Sequence, residues 1–262
     1  MRRYGAILYV YYRTSLQTEM EYRADFFGRL LASFLDLLTT IGALAITFSY
    51  TDTLQGWSFS QAMVLLAVYY LMDGLIEVFI GQNMRQIAAQ VRDGTFDFVL
   101  MKPANSQFTA SLRMLNISRA ARIIVGIGLT VHTVFSLSVE IGPVTAVRFA
   151  VALAAGMSIV YSIWLFLVTL TFWFVRVDNI EQIVWQAFEA GRYPVEIFPR
   201  HLRGFLTYVI PIAFIITVPA QALVGRLGPG SVLTAVMIGS ALFALASAFW
   251  RVGIRNYTGA SA

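Results

Sequence analysis

The sequence contains no cysteine, which excludes disulfide bonds, thiolate metal sites and cysteine nucleophiles. It has only two histidines, His132 and His201, and they stand far apart in the chain. It also lacks a GxxxxGK[ST] phosphate-binding loop and the HExxH and GxSxG motifs. We therefore expect no catalytic centre, no metal site and no bound cofactor in this chain, and no ATP hydrolysis by the chain itself.

Charged residues are scarce as well. They make up 13% of the 262 residues, against 58% apolar residues, whereas soluble domains are about a quarter charged. A soluble core could not bury that much apolar surface. The net charge of +5 does not indicate a nucleic-acid partner, because the arginines cluster at the ends of apolar runs rather than in a basic stripe. The composition predicts one integral membrane domain of the all-α class over residues 1–262.

Long apolar runs predict the membrane-spanning helices. A hydrocarbon core of about 30 Å needs about 20 helical residues. Five runs approach or exceed this length, at residues 26–48, 61–83, 120–137, 149–175 and 232–250. Residues 4–19 instead place Tyr4, Ile7, Leu8 and Tyr11 on one helical face, which predicts that residues 1–22 form an elbow helix lying in the interface. With one further crossing before the last run, about six spans are expected.

The distribution of arginine predicts the orientation. Residues 85–122 form the longest charged stretch and are rich in arginine, so the positive-inside rule places them in the cytoplasm. The breaks at residues 49–58 and 140–143 contain no lysine or arginine and should lie outside. Both chain termini are then expected on the cytoplasmic side.

Residues 176–224 allow two models. In the first, residues 205–224 are the fifth span and residues 176–203 are a cytoplasmic loop, as the arginines there favour. In the second, residues 179–193 cross the membrane and residues 205–224 form a re-entrant hairpin. Backbone rules permit such a hairpin only where protein or water covers it. Pro211 and Pro219 favour the second model.

Acidic residues inside the predicted spans are unusual, because a charge near the bilayer centre costs at least about 2.5 kcal/mol. Asp36 and Asp73 lie at similar depths, roughly 15 Å from the cytoplasmic ends of their helices. Glu77 follows Asp73 by one helical turn. These acids are candidates for a path for cationic or amphipathic cargo, together with Glu181 and Gln186. Alternatively, they fix helix packing through pairs with Arg23, Arg29 or a partner subunit.

Two motifs carry a resemblance to a known family. Residues 91–103, VRDGTFDFVLMKP, resemble the cytoplasmic signature of type 2 ABC exporter permeases, which reads charge, Gly-Thr, acid, two apolar residues and proline. Residues 192–199, RYPVEIFP, are similar to the proline-punctuated extracellular re-entrant region of the same permeases. The order of the two motifs and the N-terminal elbow also match, so the resemblance covers nearly the whole chain.

The resemblance implies two functional regions. Residues 84–106 would be a coupling region that docks on an ATPase, and residues 194–226 an extracellular re-entrant region before the last span. The expected coupling residues are Arg92, Asp93, Gly94, Thr95, Phe96, Asp97 and Pro103. The expected re-entrant residues are Pro194, Pro199, Pro211 and Pro219. This placement violates the positive-inside rule, because it puts three arginines on the outer side: Arg192, Arg200 and Arg203. The rule is set by several loops together and tolerates one exception.

The implied function is that of a permease subunit in a bacterial cytoplasmic membrane. It would export an amphipathic or lipid-like cargo by alternating access. The implied partners are an ABC ATPase, which would bind ATP and Mg, and a second related permease or a second copy of this chain, all surrounded by membrane lipids. The alternative is a gradient-driven carrier or channel that uses the intramembrane acids and needs no ATPase.

Overall fold

The computed structural model describes residues 2–20, 23–137, 142–174 and 178–257. These residues form helices and, within the described ranges, no strand. The α-helices, in chain order, are α1 Arg2–Met20, α2 Arg23–Ser49, α3 Phe59–Ile76, α4 Gln82–Arg92, α5 Asp97–Leu100, α6 Ser106–Ser111, α7 Ala120–Ser136, α8 Pro143–Thr169, α9 Asp178–Glu189, α10 Arg200–Gly204, α11 Val218–Leu223 and α12 Ser231–Asn256. The turn Glu77–Gly81 is π-helical and joins α3 to α4 without a break.

Five helical segments are long and apolar enough to cross a membrane. They are Phe26–Ser49, Phe59–Arg92, Ile117–Ser136, Pro143–Phe172 and Ser231–Asn256. A bent pair, Arg200–Val209 and Ala213–Leu223, gives a sixth candidate if it counts as one span. The prediction of an all-helical, multi-pass chain is confirmed, and each of the five unambiguous apolar runs falls on one of these helices.

The helix Phe59–Arg92 lies at the centre of the fold. Its most apolar stretch is 89% buried, whereas that of α12 is only 17% buried. It packs mainly against α7, and also against α8 and α11. The outer helices therefore present apolar faces to the surrounding lipid or to a partner, as expected for a membrane domain.

Two glycines allow α3 and α7 to pack with their backbones in contact. A Cβ atom added to Gly126 would lie 2.4 Å from the backbone nitrogen of Leu71. One added to Gly74 would lie 2.6 Å from the backbone nitrogen of Ile123. Any larger residue would force the helices apart, so these glycines act as the small residues that typify close helix contacts in membranes.

The bent pair changes direction by 74° at a break around Pro211. Pro211 has no backbone N–H to donate, and Ile210 before it is extended, as residues preceding proline usually are. The second arm is buried at Ile215 and Ile216 and packs against α8 and α3. This irregular backbone is therefore covered by protein, which is the condition for its presence at membrane depth.

Candidate functional site

Residues 91–103, here called the coupling segment, form a tight turn after α4 and then the short helix α5. Gly94 has a φ of +68°, in the left-handed region that favours glycine. The backbone N–H groups of Thr95 and Phe96 both donate to the carbonyl of Gln90, at 2.9 and 3.1 Å. The Asp-Gly-Thr sequence thus reverses the chain against the end of α4.

Phe96 anchors this turn in the membrane domain. Its side chain is 0% exposed and packs against three aromatic rings. The ring centroids of Phe172, Trp250 and Tyr257 lie 5.5, 5.9 and 5.6 Å from its own. Phe172 ends the span Pro143–Phe172, while Trp250 and Tyr257 lie at the end of α12. A displacement of the coupling segment would therefore act directly on the ends of two spans.

Several other residues of the coupling segment face outward, although Val99 is buried. Arg92, Asp93, Thr95 and Pro103 are exposed, and Gly94 and Asp97 are half-buried. Phe98 and Met101, which sequence reasoning did not single out, are 65% and 69% exposed. They are three residues apart and so share one face of a helical turn. The segment offers an apolar pair beside two acids, a surface this chain does not itself cover.

Asp36 lies in an ion pair that joins three parts of the chain. Nη1 of Arg192 donates to Oδ1 of Asp36 at 3.2 Å and to the hydroxyl of Thr40 at 3.0 Å. The hydroxyl of Tyr70, on α3, donates to Oδ2 of Asp36 at 2.8 Å. The Arg192 guanidinium also lies 5.1 Å from the centroid of the Tyr69 ring. This cluster links α2 and α3 to the chain that follows α9.

Asp73 and Glu77 are also paired with arginines. Asp73 is 0% exposed and accepts a hydrogen bond from Arg122 on α7. Glu77, which begins the π-helical turn, accepts two hydrogen bonds from Arg85, at 3.2 and 3.0 Å. Nε of Arg119 lies 3.8 Å from Oε2 of Glu77. Asp73 therefore joins the central helix to α7, whereas the hydrogen bonds of Glu77 stay within the central helix and only its contact with Arg119 leaves it.

The candidate path residues thus do not form one shared cluster. Asp36, Asp73 and Glu77 each belong to a separate ion pair, and Gln186 is exposed on α9. The side chain of Glu181 lies outside the described residues. Arginine pairing favours the interpretation that the three acids fix helix packing, while the path itself stays a prediction. Among the described residues, no group of histidines and acids could hold a metal ion.

Three of the four prolines of the predicted re-entrant region lie at changes of backbone direction. Pro194 precedes the 3₁₀ turn Val195–Ile197, and Pro199 precedes α10. Pro211 lies at the bend, whereas Pro219 lies within the second arm, where the π-helical turn Ala213–Thr217 continues into α11. Nε2 of Gln221 donates to Oε1 of Glu196 at 3.4 Å, which brings the two ends of the region together.

A family model described as ABC-2 family transporter protein matches residues 34–261. The match covers the coupling segment, the ion pairs and the bent pair. No curated protein and no solved structure matches the chain.

Proposed function

The chain belongs to the ABC-2 family of transporter proteins, and from this premise we propose that it exports an amphipathic or lipid-like substrate by alternating access. Members of the family are non-catalytic, multi-pass permease subunits that generally pair with an ABC ATPase. The ATPase would bind ATP and Mg, and a second copy of this chain or a related permease would complete the path. Each change of state then requires nucleotide or substrate to bind the two conformations differently.

The coupling segment is divided into a buried anchor and an exposed surface, and this division supports the proposal most directly. Phe96 is packed against the ends of two spans, whereas Phe98 and Met101 are exposed beside Asp93 and Asp97. An apolar centre with a charged rim is the usual composition of a protein interface. We assign docking to the exposed residues, with Arg92 among them, and transmission of the movement to Phe96.

Reversing two charges of this surface should abolish ATPase binding. We expect the native chain to co-purify in detergent with the ABC ATPase encoded nearest to it, and an Asp93→Arg/Asp97→Arg variant to lose that ATPase. Like charges at an interface oppose association, and one mismatched pair typically costs several kcal/mol. The measurement is the amount of ATPase retained per permease after affinity purification.

An Asp52→Arg variant is the matched control. Asp52 is exposed in the loop between α2 and α3, at the opposite end of the central helix from the coupling segment. The same reversal there should leave ATPase retention unchanged. Equal losses in both variants would contradict the assigned docking surface, and no association of the native chain with any ABC ATPase would contradict the proposed function.

We further propose six crossings, with α1 as an interfacial elbow and the bent pair as a re-entrant hairpin. A contact between α1 and the chain between α6 and α7 supports the elbow. The hydroxyl of Ser15 accepts a hydrogen bond from the N–H of Leu115 at 3.3 Å. The fifth crossing would run from α9 through Arg192. The ion pair between Arg192 and Asp36 supports this crossing. An arginine whose charge is neutralised inside the membrane no longer counts against the positive-inside rule.

A contact at one end of the hairpin, and one between its two ends, support its re-entry, since Gln221 near the end of α11 donates to Glu196 just before α10. Arg226, just after α11, donates to the carbonyl of Gly56 and to Gln61 at the start of the central helix. The middle of the hairpin instead reaches Gly191, where a Cβ atom would lie 2.1 Å from Ile216. The hairpin would thus enter and leave on the side of the loop between α2 and α3, which is the proposed outer face.

Single-cysteine labelling tests this topology, and the chain has no native cysteine to interfere. Asp52→Cys and Arg200→Cys should react with an impermeant maleimide added outside intact cells, because both residues are exposed on the proposed outer side. Asp93→Cys should react only after the membrane is opened. Labelling of Arg200→Cys from the cytoplasmic side alone would overturn the re-entrant model and restore residues 205–224 as a crossing span.

A further inference from the structure

A cavity of about 560 Å³ lies between the central helix, α6, α8 and α12. This size is within the range of ligand pockets in proteins. Its walls are mainly apolar and aromatic, formed by Phe79, Phe108, Leu112, Met157 and Phe243. None of these residues belongs to the ion pairs or to the coupling segment. We refer to it as the Gln107 pocket.

The polar groups of the Gln107 pocket form one hydrogen-bonded cluster. Nε2 of Gln107 donates to the hydroxyl of Tyr161 at 3.1 Å and to that of Ser247 at 2.9 Å. The hydroxyl groups of Ser111 and Tyr161 are 2.9 Å apart. These side chains come from α6, α8 and α12. Their contacts fix a small polar patch in a wall that is otherwise apolar.

A cation lies next to this patch, toward the coupling segment. Arg251 is exposed, one turn beyond Ser247 on α12, and its Nε donates to the carbonyl of Ser247 at 3.2 Å. Arg251 lies at the end of the pocket nearer the coupling segment, because its neighbour Trp250 packs against Phe96 of that segment. Arg251 does not itself line the pocket, but from that end inward the order of groups is the cation beside the pocket, then hydroxyl and amide groups, then apolar and aromatic side chains.

We propose that the Gln107 pocket binds one phospholipid from the leaflet on the side of the coupling segment. The order of chemistry matches that of a phospholipid, with the phosphate near Arg251, the ester groups near Gln107 and an acyl chain among the apolar side chains. A cavity with such apolar walls is a poor site for water. The assignment to the cytoplasmic leaflet rests on the proposed function, whereas lipid binding in the pocket does not.

A phospholipid with a diazirine in its acyl chain provides the probe. The purified chain, without ATPase, is reconstituted in nanodiscs that contain this lipid, irradiated and mapped by peptide mass spectrometry. Crosslinks should concentrate in residues 79–80, 105–112, 157–161 and 243–247, the four stretches that line the pocket. Crosslinks spread evenly over all exposed apolar faces would mean that only bulk lipid touches the chain, and would overturn the proposal.

A pocket-filling variant sharpens the test. Met157→Trp should abolish the crosslinks in residues 105–112, because the larger side chain occupies the space of the acyl chain. Val147→Trp is the matched control, since Val147 lies on the same helix, is 61% exposed and does not line the pocket. It should crosslink like the native chain. If Met157→Trp crosslinked like the native chain, the proposed site would be wrong. If that variant does not fold, the crosslink map of the native chain decides whether lipid binds in the pocket. Because no ATPase is present, a negative result leaves the ATPase-docking proposal untouched.

Discussion

An Arg122→Met variant is expected to lose about 3–5 kcal/mol of stability, the usual cost of removing one partner of a buried ion pair. Arg122 is the partner of Asp73, whose side chain is fully buried between α3 and α7. Without the guanidinium, the carboxylate must stay charged in an apolar environment or take up a proton, and both cost free energy. Thermal unfolding in detergent, followed by size-exclusion chromatography, measures the loss.

An Asp73→Asn substitution should partly reverse this effect. The amide has nearly the shape of the carboxylate but no charge, so the Arg122→Met/Asp73→Asn double variant should be more stable than Arg122→Met alone. Asp52→Asn, in the exposed loop between α2 and α3, should have no measurable effect and serves as the control. If the second substitution added to the damage of the first, the two residues would not depend on each other and the packing role would be wrong.

Phe96→Ala and Phe98→Ala should have opposite consequences although the residues are two positions apart. Phe96 is fully buried among aromatic rings, so its truncation should cost about 3–5 kcal/mol. Phe98 is 65% exposed, so its truncation should leave thermal stability unchanged and instead reduce the amount of ATPase that co-purifies. A loss of stability in Phe98→Ala equal to that in Phe96→Ala would contradict the division between anchor and docking surface.

The spans could be predicted from the sequence because the bilayer imposes a simple rule of length and polarity. The first apolar run, residues 26–48, corresponds to the helix Phe26–Ser49. The second run was predicted to end at residue 83, but the helix continues to Arg92. Hydropathy detects where a helix leaves the membrane, not where it ends, so the continuation through the π-helical turn into α4 has no signal in the apolar pattern.

The partners of the intramembrane acids could not be predicted, because they come from distant parts of the chain. Arg192 and Asp36 are 156 residues apart, and charge counting treated Arg192 only as an exception to the topology rule. Likewise, the sequence could not separate buried Phe96 from exposed Phe98. The left-handed turn at Gly94 separates Phe96 and Phe98 from α4. It interrupts the helical periodicity that would otherwise predict which side chains are buried and which are exposed.

We propose that ATP hydrolysis in a partner subunit acts on the spans through Phe96. The most direct test of this coupling is the rate of ATP hydrolysis by the partner ATPase in nanodiscs, alone, with the native chain and with the Phe96→Ala variant. We expect the native chain to raise the rate of ATP hydrolysis, and we expect Phe96→Ala still to bind the ATPase but to raise the rate much less. A rate that is the same with and without the native chain would contradict coupling through Phe96 and favour a gradient-driven carrier.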